Sequence, residues 1–308
     1  MIFLKPINNI DFFDLDDENN AEIKCKINSV ANLFISYNGL LLDLREYINS
    51  NLNEIKKGNF IDKIIILFLS KVIEILDSIT VLTNYSCINQ LNNLIRPLFE
   101  TSLSLKFILV DNSNYENKAA TYYIEELVAK ISQLNKIIKN VKFFQERKFI
   151  KDKSKYNIQN IKDEILMYEN SIKSNPVTLE IYENWGKNKY WYNSFDCKTI
   201  KDIAEKVDKI ETDRMKWVVT YDDIYTHLSR ESHAKNAVKM MSVSNGKAYF
   251  QKIREPTNIS FKIDLIYGFV NNISFSIIEF YGLKKSSFCK NFIEKSIVLI
   301  NERKNISS

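Results

Sequence analysis

Apolar side chains recur along most of the chain at intervals of three and four residues, which is the spacing of one face of an α-helix. This pattern predicts nine helices, near residues 22–50, 60–84, 87–110, 116–150, 155–174, 199–208, 213–236, 260–282 and 288–303. The connections are predicted at 51–59, 111–115, 175–198 and 242–258. Pro176 and Pro256 lie in the last two, where each is expected to stop a helix because the residue before a proline avoids the helical conformation.

The small number of turn-forming residues favours an all-α fold. A chain of 308 residues with 6 glycines and 4 prolines cannot supply the turns that a β-sandwich needs every ~8–12 residues. We expect a single multi-helix bundle with one long aromatic-rich connection, 175–198, whose rings pack against the helices as a lid or cross-brace. The predicted domains are an acidic N-terminal segment, 1–21, and a helical bundle, 22–303, and a subdivision near 176 is left open.

Composition excludes several kinds of site. The 4 cysteines lie far apart and only 2 histidines are present, so we expect neither clustered zinc ligands nor a cofactor. There is no glycine-rich loop of the kind that cradles phosphates. The two most apolar segments, 60–82 and 259–281, are interrupted by charged residues, so neither is expected to cross a membrane. Without the pattern of a signal peptide, the predicted location is cytoplasmic.

A charged pair interrupts the apolar run of the helix predicted near 87–110. Arg96 and Glu100 are four residues apart and therefore share one face of that helix, where both are expected to be at least partly buried. Pro97 removes a backbone donor and should kink the helix or mark its first turn. One interpretation is an internal ion pair that fixes helix packing, and the other is recognition of an anion by Arg96, which Glu100 orients.

The helix predicted near 213–236 carries the second group of candidate residues. At about 100° per residue, Tyr225 lies on its apolar stripe, Ser229 and His233 line the edge, and His227 falls on the opposite side. An imidazole at the boundary of a core can have a pKa near neutrality, as a general acid or base requires, so His233 is the candidate catalytic residue. The alternative is a structural histidine that is hydrogen-bonded between helices. A serine hydrolase is not expected, because Ser229 lacks an exposed elbow.

The stretch 136–155 is the most basic part of the chain, with eight basic and two acidic residues. Within it, cations alternate with aromatic rings, as on a surface that binds single-stranded nucleic acid. The candidate nucleic-acid-binding residues are Lys142, Arg147, Lys148 and Lys151. A solvated helix end whose aromatic residues turn into the core would show the same pattern.

The two helices together resemble an uncharacterised bacterial family of all-helical proteins, known mainly as a domain of unknown function. Its marks are an R-x-x-x-E helix, here Arg96 to Glu100, and a later Y-x-x-L-S-x-x-x-H helix, here Tyr225 to His233, with an aromatic connection containing Trp191 between them. The similarity spans roughly residues 60 to 282. Members look like relatives of helical proteins from bacterial conflict and phage defence, some of which resemble the HEPN ribonucleases.

This resemblance implies a biological setting more than a reaction, because the chain departs from the HEPN pattern at one point. HEPN enzymes carry an arginine and a histidine on one helix, separated by four to six residues, and cleave RNA without a metal. Here Arg230 and His233 have only two residues between them, so we conjecture that Arg96 supplies the cation from a neighbouring helix.

The functional hypothesis is therefore a defence-associated, HEPN-like protein that binds RNA or cleaves it without a metal. The candidate catalytic residues are His233, Arg96, Glu100, Tyr225 and Arg230. The alternative is a non-catalytic helical adaptor in which the Arg, Glu and His side chains form a structural network. Expected partners are RNA and a protein encoded in the same operon, and homo-oligomerisation is left open.

Overall fold

The all-α fold class is confirmed, and helices form in eight of the nine segments where the apolar spacing predicts them. In the ninth, 213–236, the structure describes only the short helix Trp217–Thr220 and a π-helical turn, and residues 226–236 lie outside the described part of the chain. The computed structural model describes residues 19–111, 113–146, 157–186, 188–211, 215–225, 241–244, 247–250 and 259–307. Its α-helices are α1 (Asn19–Ile55), α2 (Ile61–Asn84), α3 (Asn92–Leu109), α4 (Tyr115–Glu146), α5 (Ile158–Lys173), α6 (Pro176–Glu183), α7 (Ile200–Ile210), α8 (Trp217–Thr220), α9 (Ile259–Phe280) and α10 (Ser287–Ser307). Shorter 3₁₀ turns cover Ile88–Leu91, Trp191–Phe195 and Leu283–Lys285, and a π-helical turn covers Tyr221–Tyr225.

The main hydrophobic core joins helices from both halves of the chain. α1 packs along α2, and α3 packs against both α2 and α9. The fully buried Trp217 of α8 lies between Phe99 of α3 and Phe269 of α9, with ring centroids 5.9 and 6.4 Å away. Residues on either side of position 176 therefore share one buried cluster.

A smaller cluster holds α4 and α5 together. Ile124 and Leu127 of α4 pack against Ile172 of α5, and the partly buried Tyr168 and Trp185 flank them. α4 is 32 residues long, so its first turns belong to the main bundle while its later turns pair with α5. α4 is thus one continuous helix that reaches from the main core into the basic stretch 136–155.

A carboxylate from α4 caps the start of α2. Glu116 accepts hydrogen bonds from the backbone N–H groups of Asn59, Phe60 and Ile61, at 2.8, 2.8 and 3.0 Å. These are among the N–H groups that a helix leaves unpaired at its N-terminus, where the helix dipole also favours a negative charge. A Cβ atom at Gly58 would overlap the Glu116 carboxylate and lie 2.9 Å from the Ile61 side chain, so glycine leaves the room that this contact needs.

Two of the predicted connections contain regular structure. A helix ends at Lys173, just before Pro176, as expected of a helix stop, and Pro176 is also the first residue of α6, where its fixed φ suits a helix start and its missing N–H costs no bond. Residues 242–258 were expected to be irregular, yet Met241–Ser244 and Lys247–Phe250 form an antiparallel hairpin, β1 and β2. These corrections add short elements to the bundle and leave its helical class unchanged.

By length and composition, α9 is the one helix in the described part of the chain that could cross a membrane. Half of its most apolar window is buried inside the fold. The buried Lys262 of α9 donates a hydrogen bond to the carbonyl oxygen of Ile88 at 2.9 Å, and Ser276 accepts one from Lys106 at 3.0 Å. α9 therefore makes polar as well as apolar contacts with the helices around it.

Candidate functional site

Arg96 and Glu100 form an ion pair on α3, as their spacing predicts. The guanidinium Nε donates to Glu100 Oε1 at 2.9 Å. Their side chains are 27% and 35% exposed, which confirms that the pair is partly buried. Pro97 lies inside α3, which a 3₁₀ turn precedes, and its carbonyl oxygen accepts a hydrogen bond from Thr101 Oγ1 at 2.6 Å. Both residues of the pair belong to α3, and both side chains remain partly exposed to solvent.

The pair opens into a cleft of about 370 Å³ between α3, α4 and the aromatic connection, hereafter the Arg96 cleft. This volume lies toward the lower end of the range of ~300–1,000 Å³ that ligand pockets occupy. The lining residues are Phe68, Arg96, Pro97, Glu100, Thr101, Ser104, Tyr122, Glu125, Tyr190, Trp191, Tyr192 and Ile200. The sequence prediction named Arg96 and Glu100 among them as candidate catalytic residues.

Three consecutive rings form one wall of the Arg96 cleft, and we call Tyr190, Trp191 and Tyr192 the aromatic shelf. Trp191 is only 3% exposed and packs edge-on against Tyr122 of α4, with centroids 5.6 Å apart. Tyr190 is 36% exposed and stacks on Tyr192, with centroids 5.1 Å apart and an interplanar angle of 17°. Lys189 lies 5.0 Å from the Tyr190 ring centroid. The shelf is therefore anchored by its central ring, as a cross-brace would be, and exposes an outer one.

Glu125 is the buried acid of the cleft. Its Oε2 accepts a hydrogen bond from the backbone N–H of Trp191 at 2.9 Å, which ties α4 to the aromatic shelf. Burial raises the pKa of Glu125, the neighbouring Glu126 raises it further, and the Trp191 N–H opposes them. Burial likewise raises the pKa of Tyr122, and the nearby carboxylates of Glu126 and Glu125 raise it further. Both groups therefore favour their protonated forms more than they would in water.

Replacing Glu125 with glutamine is expected to raise the melting temperature at neutral pH. A raised pKa means that the fold holds the ionised carboxylate less well than the unfolded chain does, so ionisation lowers stability. The gain in melting temperature should be present at pH 7 to 8 and shrink as the pH falls through the raised pKa of Glu125. It should vanish below the ordinary glutamate pKa of 4.5. Thermal unfolding of both proteins from pH 4 to pH 8 measures it, and a gain that does not vary with pH would contradict this origin.

The later turns of α4 carry exposed lysines on the side of the helix that Glu125 occupies. Lys136 and Lys139 are both exposed, and at about 100° per residue they lie within about 40° of Glu125. At a rise of 1.5 Å per residue they stand about 16 and 21 Å along the axis from Glu125. We call Lys136 and Lys139 the lysine face; the sequence between Leu127 and Gln145 contains no acidic residue.

An ion pair between Lys201 and Asp222 joins α7 to the π-helical turn that begins at Tyr221. Lys201, which follows the cleft residue Ile200, donates to both carboxylate oxygens of Asp222 at 2.8 and 3.0 Å. Asp222 belongs to the π-helical turn Tyr221–Tyr225. The chain therefore passes beside α7 and the cleft three residues before Tyr225.

The structure brings only part of the predicted site together. Arg96 and Glu100 lie in the cleft, Lys142 is exposed near the far end of α4, and the backbone of Tyr225 is in the π-helical turn. The remaining predicted residues lie outside the described part of the chain; they are Arg147, Lys148, Lys151, Arg230 and His233. Among described residues, no group of three or more His, Cys, Asp or Glu side chains could hold a metal ion.

Sequence reasoning missed Tyr122 and Glu125. A signal for them exists, since they are three residues apart on one helix and so share a face. Their burial depends on the aromatic shelf, which is 66 residues further along the chain from Glu125.

Comparison with known proteins places this site within a family. Neither the curated proteins nor the solved structures that we searched give a match to the chain. A family model described as a family of unknown function (DUF5677) matches residues 62–248, which is more than half of the chain and includes the Arg96 cleft and the lysine face. The chain therefore belongs to the family of unknown function DUF5677.

Proposed function

We propose that this protein binds single-stranded RNA along α4 and cleaves it in the Arg96 cleft without a metal ion. The observation that carries the proposal is that the lysine face and the cleft residue Glu125 lie on the same side of one continuous helix. A strand bound to the lysines is thereby directed toward the cleft. In keeping with the HEPN-like resemblance, we assign the activity to bacterial defence.

Binding would combine charge with stacking. Exposed lysines on a helix face attract the phosphates of a strand, and the exposed ring of Tyr190 offers a surface on which a base can stack. In and beside the cleft, the positive charges of Arg96, Lys189 and Lys201 balance the negative charges of Glu100, Glu125 and Asp222, so the attraction of phosphates comes from the lysine face. A single-stranded substrate suits these features better than a duplex, because the cleft has room for about one nucleotide and unstacked bases are needed to reach the shelf.

In the proposed reaction a ribose 2′-oxygen attacks the adjacent phosphorus and the 5′-oxygen of the next nucleotide leaves. His233, which lies outside the described residues, would take the proton of the 2′-hydroxyl, and the leaving oxygen would be protonated by water. Arg96 would stabilise the charge that develops on the phosphorane, while Glu100 holds its guanidinium in place. Tyr225 would steady the substrate. The products are a 2′,3′-cyclic phosphate and a free 5′-hydroxyl.

Reversing the charge of the lysine face is expected to weaken RNA binding at least about tenfold. The double variant Lys136→Glu/Lys139→Glu loses two phosphate contacts and gains two repulsive charges, so the salt dependence of binding should also become shallower. Fluorescence anisotropy with a 12-nucleotide RNA at two or more salt concentrations measures both.

The matched control for the lysine face is Lys290→Glu/Lys304→Glu, which makes the same charge change at two exposed lysines of α10. Its affinity should stay within about twofold of the wild type. An equal loss in both double variants would show that net charge alone drives binding, and would remove α4 from the proposal.

Cleavage is tested with purified protein and labelled RNA in EDTA. We expect wild-type activity in EDTA, products ending in a 2′,3′-cyclic phosphate, and loss of activity in His233→Ala at an unchanged melting temperature. Activity that strictly requires added Mg²⁺ would contradict the proposed reaction.

A further inference from the structure

Both oxygens of the Glu125 carboxylate keep lone pairs that can accept hydrogen bonds from a ligand. Its Oε2 accepts the Trp191 N–H, whereas its Oε1 has no hydrogen-bond partner among the side chains and backbone groups that the structure describes. The residue lines the Arg96 cleft and is partly buried there. A partly buried carboxylate with acceptor capacity to spare is stabilised by a ligand that supplies N–H groups.

Glu125 lies next to the surface on which a base would stack. Its hydrogen-bond partner, Trp191, is the chain neighbour of Tyr190, whose exposed ring is the outer part of the aromatic shelf. Both residues line the Arg96 cleft, so a base held in that cleft is offered the ring and the carboxylate together. Stacking alone accepts any base, so an edge contact is what could distinguish the bases.

The hydrogen-bonding pattern of the bases decides which one fits. Guanine presents two adjacent N–H donors on its Watson–Crick edge, and these can meet the two oxygens of a carboxylate in parallel. Adenine and cytosine present an amino donor beside a ring nitrogen acceptor, and uracil presents one N–H between two carbonyl oxygens. Each of these three would place an acceptor lone pair against a carboxylate oxygen, which is unfavourable.

We infer that the Arg96 cleft selects a guanine base, which stacks on Tyr190 while Glu125 accepts its two Watson–Crick donors. This inference rests on the proposed function and adds a base preference to it. Arg96, on the α3 side of the same cleft, would then meet a phosphate of the selected nucleotide. Glu126, which is exposed and is not among the residues that line the cleft, takes no part in the selection.

The test compares RNA octamers that are uridine except for one central guanine, adenine or cytosine, together with the all-uridine octamer. They carry 2′-O-methyl groups, so that no attacking hydroxyl is present and binding is measured without cleavage. With the full chain in EDTA, fluorescence anisotropy should give about tenfold tighter binding of the guanine octamer than of the other three, in line with one bidentate base contact.

Two glutamine variants make the test specific. In Glu125→Gln one of the paired acceptors becomes a donor, so the guanine preference, taken as the ratio of the guanine octamer's affinity to that of the all-uridine octamer, should fall to within about twofold. The lost negative charge should change the affinity of all four octamers in the same direction, and the ratio removes that effect. Glutamine can still accept the Trp191 N–H, so the fold is retained, and thermal unfolding checks this. Glu126→Gln removes the same charge one residue away and should keep the full preference.

The outcomes separate this inference from the proposed function. Suppose that the four octamers bind with equal affinity and that the Lys136→Glu/Lys139→Glu variant binds all of them more weakly. RNA binding then stands and guanine selection is overturned. A guanine preference that survives Glu125→Gln overturns the role of Glu125. If no octamer binds, RNA binding fails and guanine selection fails with it.

Discussion

Replacing Arg96 with alanine is expected to lower the rate of RNA cleavage by about 100-fold or more while leaving the melting temperature almost unchanged. Removing one preorganised donor from developing negative charge typically costs this much in rate. The Arg96–Glu100 contact itself contributes only about 0.3–0.5 kcal/mol, because it is a partly exposed i,i+4 pair.

The combination of the two readouts is what distinguishes catalysis from a structural role. Cleavage rates in EDTA and thermal unfolding are measured on the same preparations. Glu100→Gln is the graded control: its amide oxygen can still accept the Arg96 Nε–H, so its rate should fall less than that of Arg96→Ala. A melting temperature that drops by many degrees in Arg96→Ala would support the alternative, a structural network in a non-catalytic adaptor.

The second large effect is expected in stability. Glu116→Ala removes the acceptor of three backbone N–H groups at the start of α2, and we expect the free energy of unfolding to fall by about 3 kcal/mol. Water can replace the acceptor at the exposed Asn59 N–H but less well at Phe60 and Ile61, which are buried. The melting temperature should fall by roughly 6 °C or more.

Denaturant and thermal unfolding of Glu116→Ala measure this loss, with Glu126→Ala as a matched control, since Glu126 is an exposed carboxylate on the same helix. Gly58→Ala should destabilise the same contact from its other side, because the added methyl group meets the Glu116 carboxylate. If Glu116→Ala and Glu126→Ala are equally stable, the cap contributes little, and the junction of α2 and α4 must be held by apolar packing.

The spacing of apolar residues predicted the long helices, because each of them buries one apolar stripe. The position of that stripe follows from the residue spacing alone. α2 and α9 begin and end within two residues of their predicted bounds, 60–84 and 260–282. The hairpin of β1 and β2 was missed although Asn245-Gly246, a strong two-residue turn signal, lies between its strands in the sequence.

The candidate site was predictable only where its residues share a helix. Arg96 and Glu100 could be paired from their spacing, and their pairing is confirmed. Glu125 could not be assigned from sequence, because its burial and its hydrogen bond both depend on Trp191, which folding brings to α4. The start of α8 at Trp217 has a similar cause: the Asp208 carboxylate of α7 accepts the N–H groups of Trp217 and Val218, at 2.9 and 3.0 Å.

Under the proposed function, the unbroken course of α4 sets a minimum length for an RNA that contacts both sites. Since a helix rises 1.5 Å per residue and does not stretch, the separation of about 16 to 21 Å between Glu125 and the lysine face is a fixed dimension of the molecule. A fragment shorter than this separation can occupy the cleft or the lysines but not both. Affinity should therefore rise in a step with oligonucleotide length, and products trimmed below that length should be released.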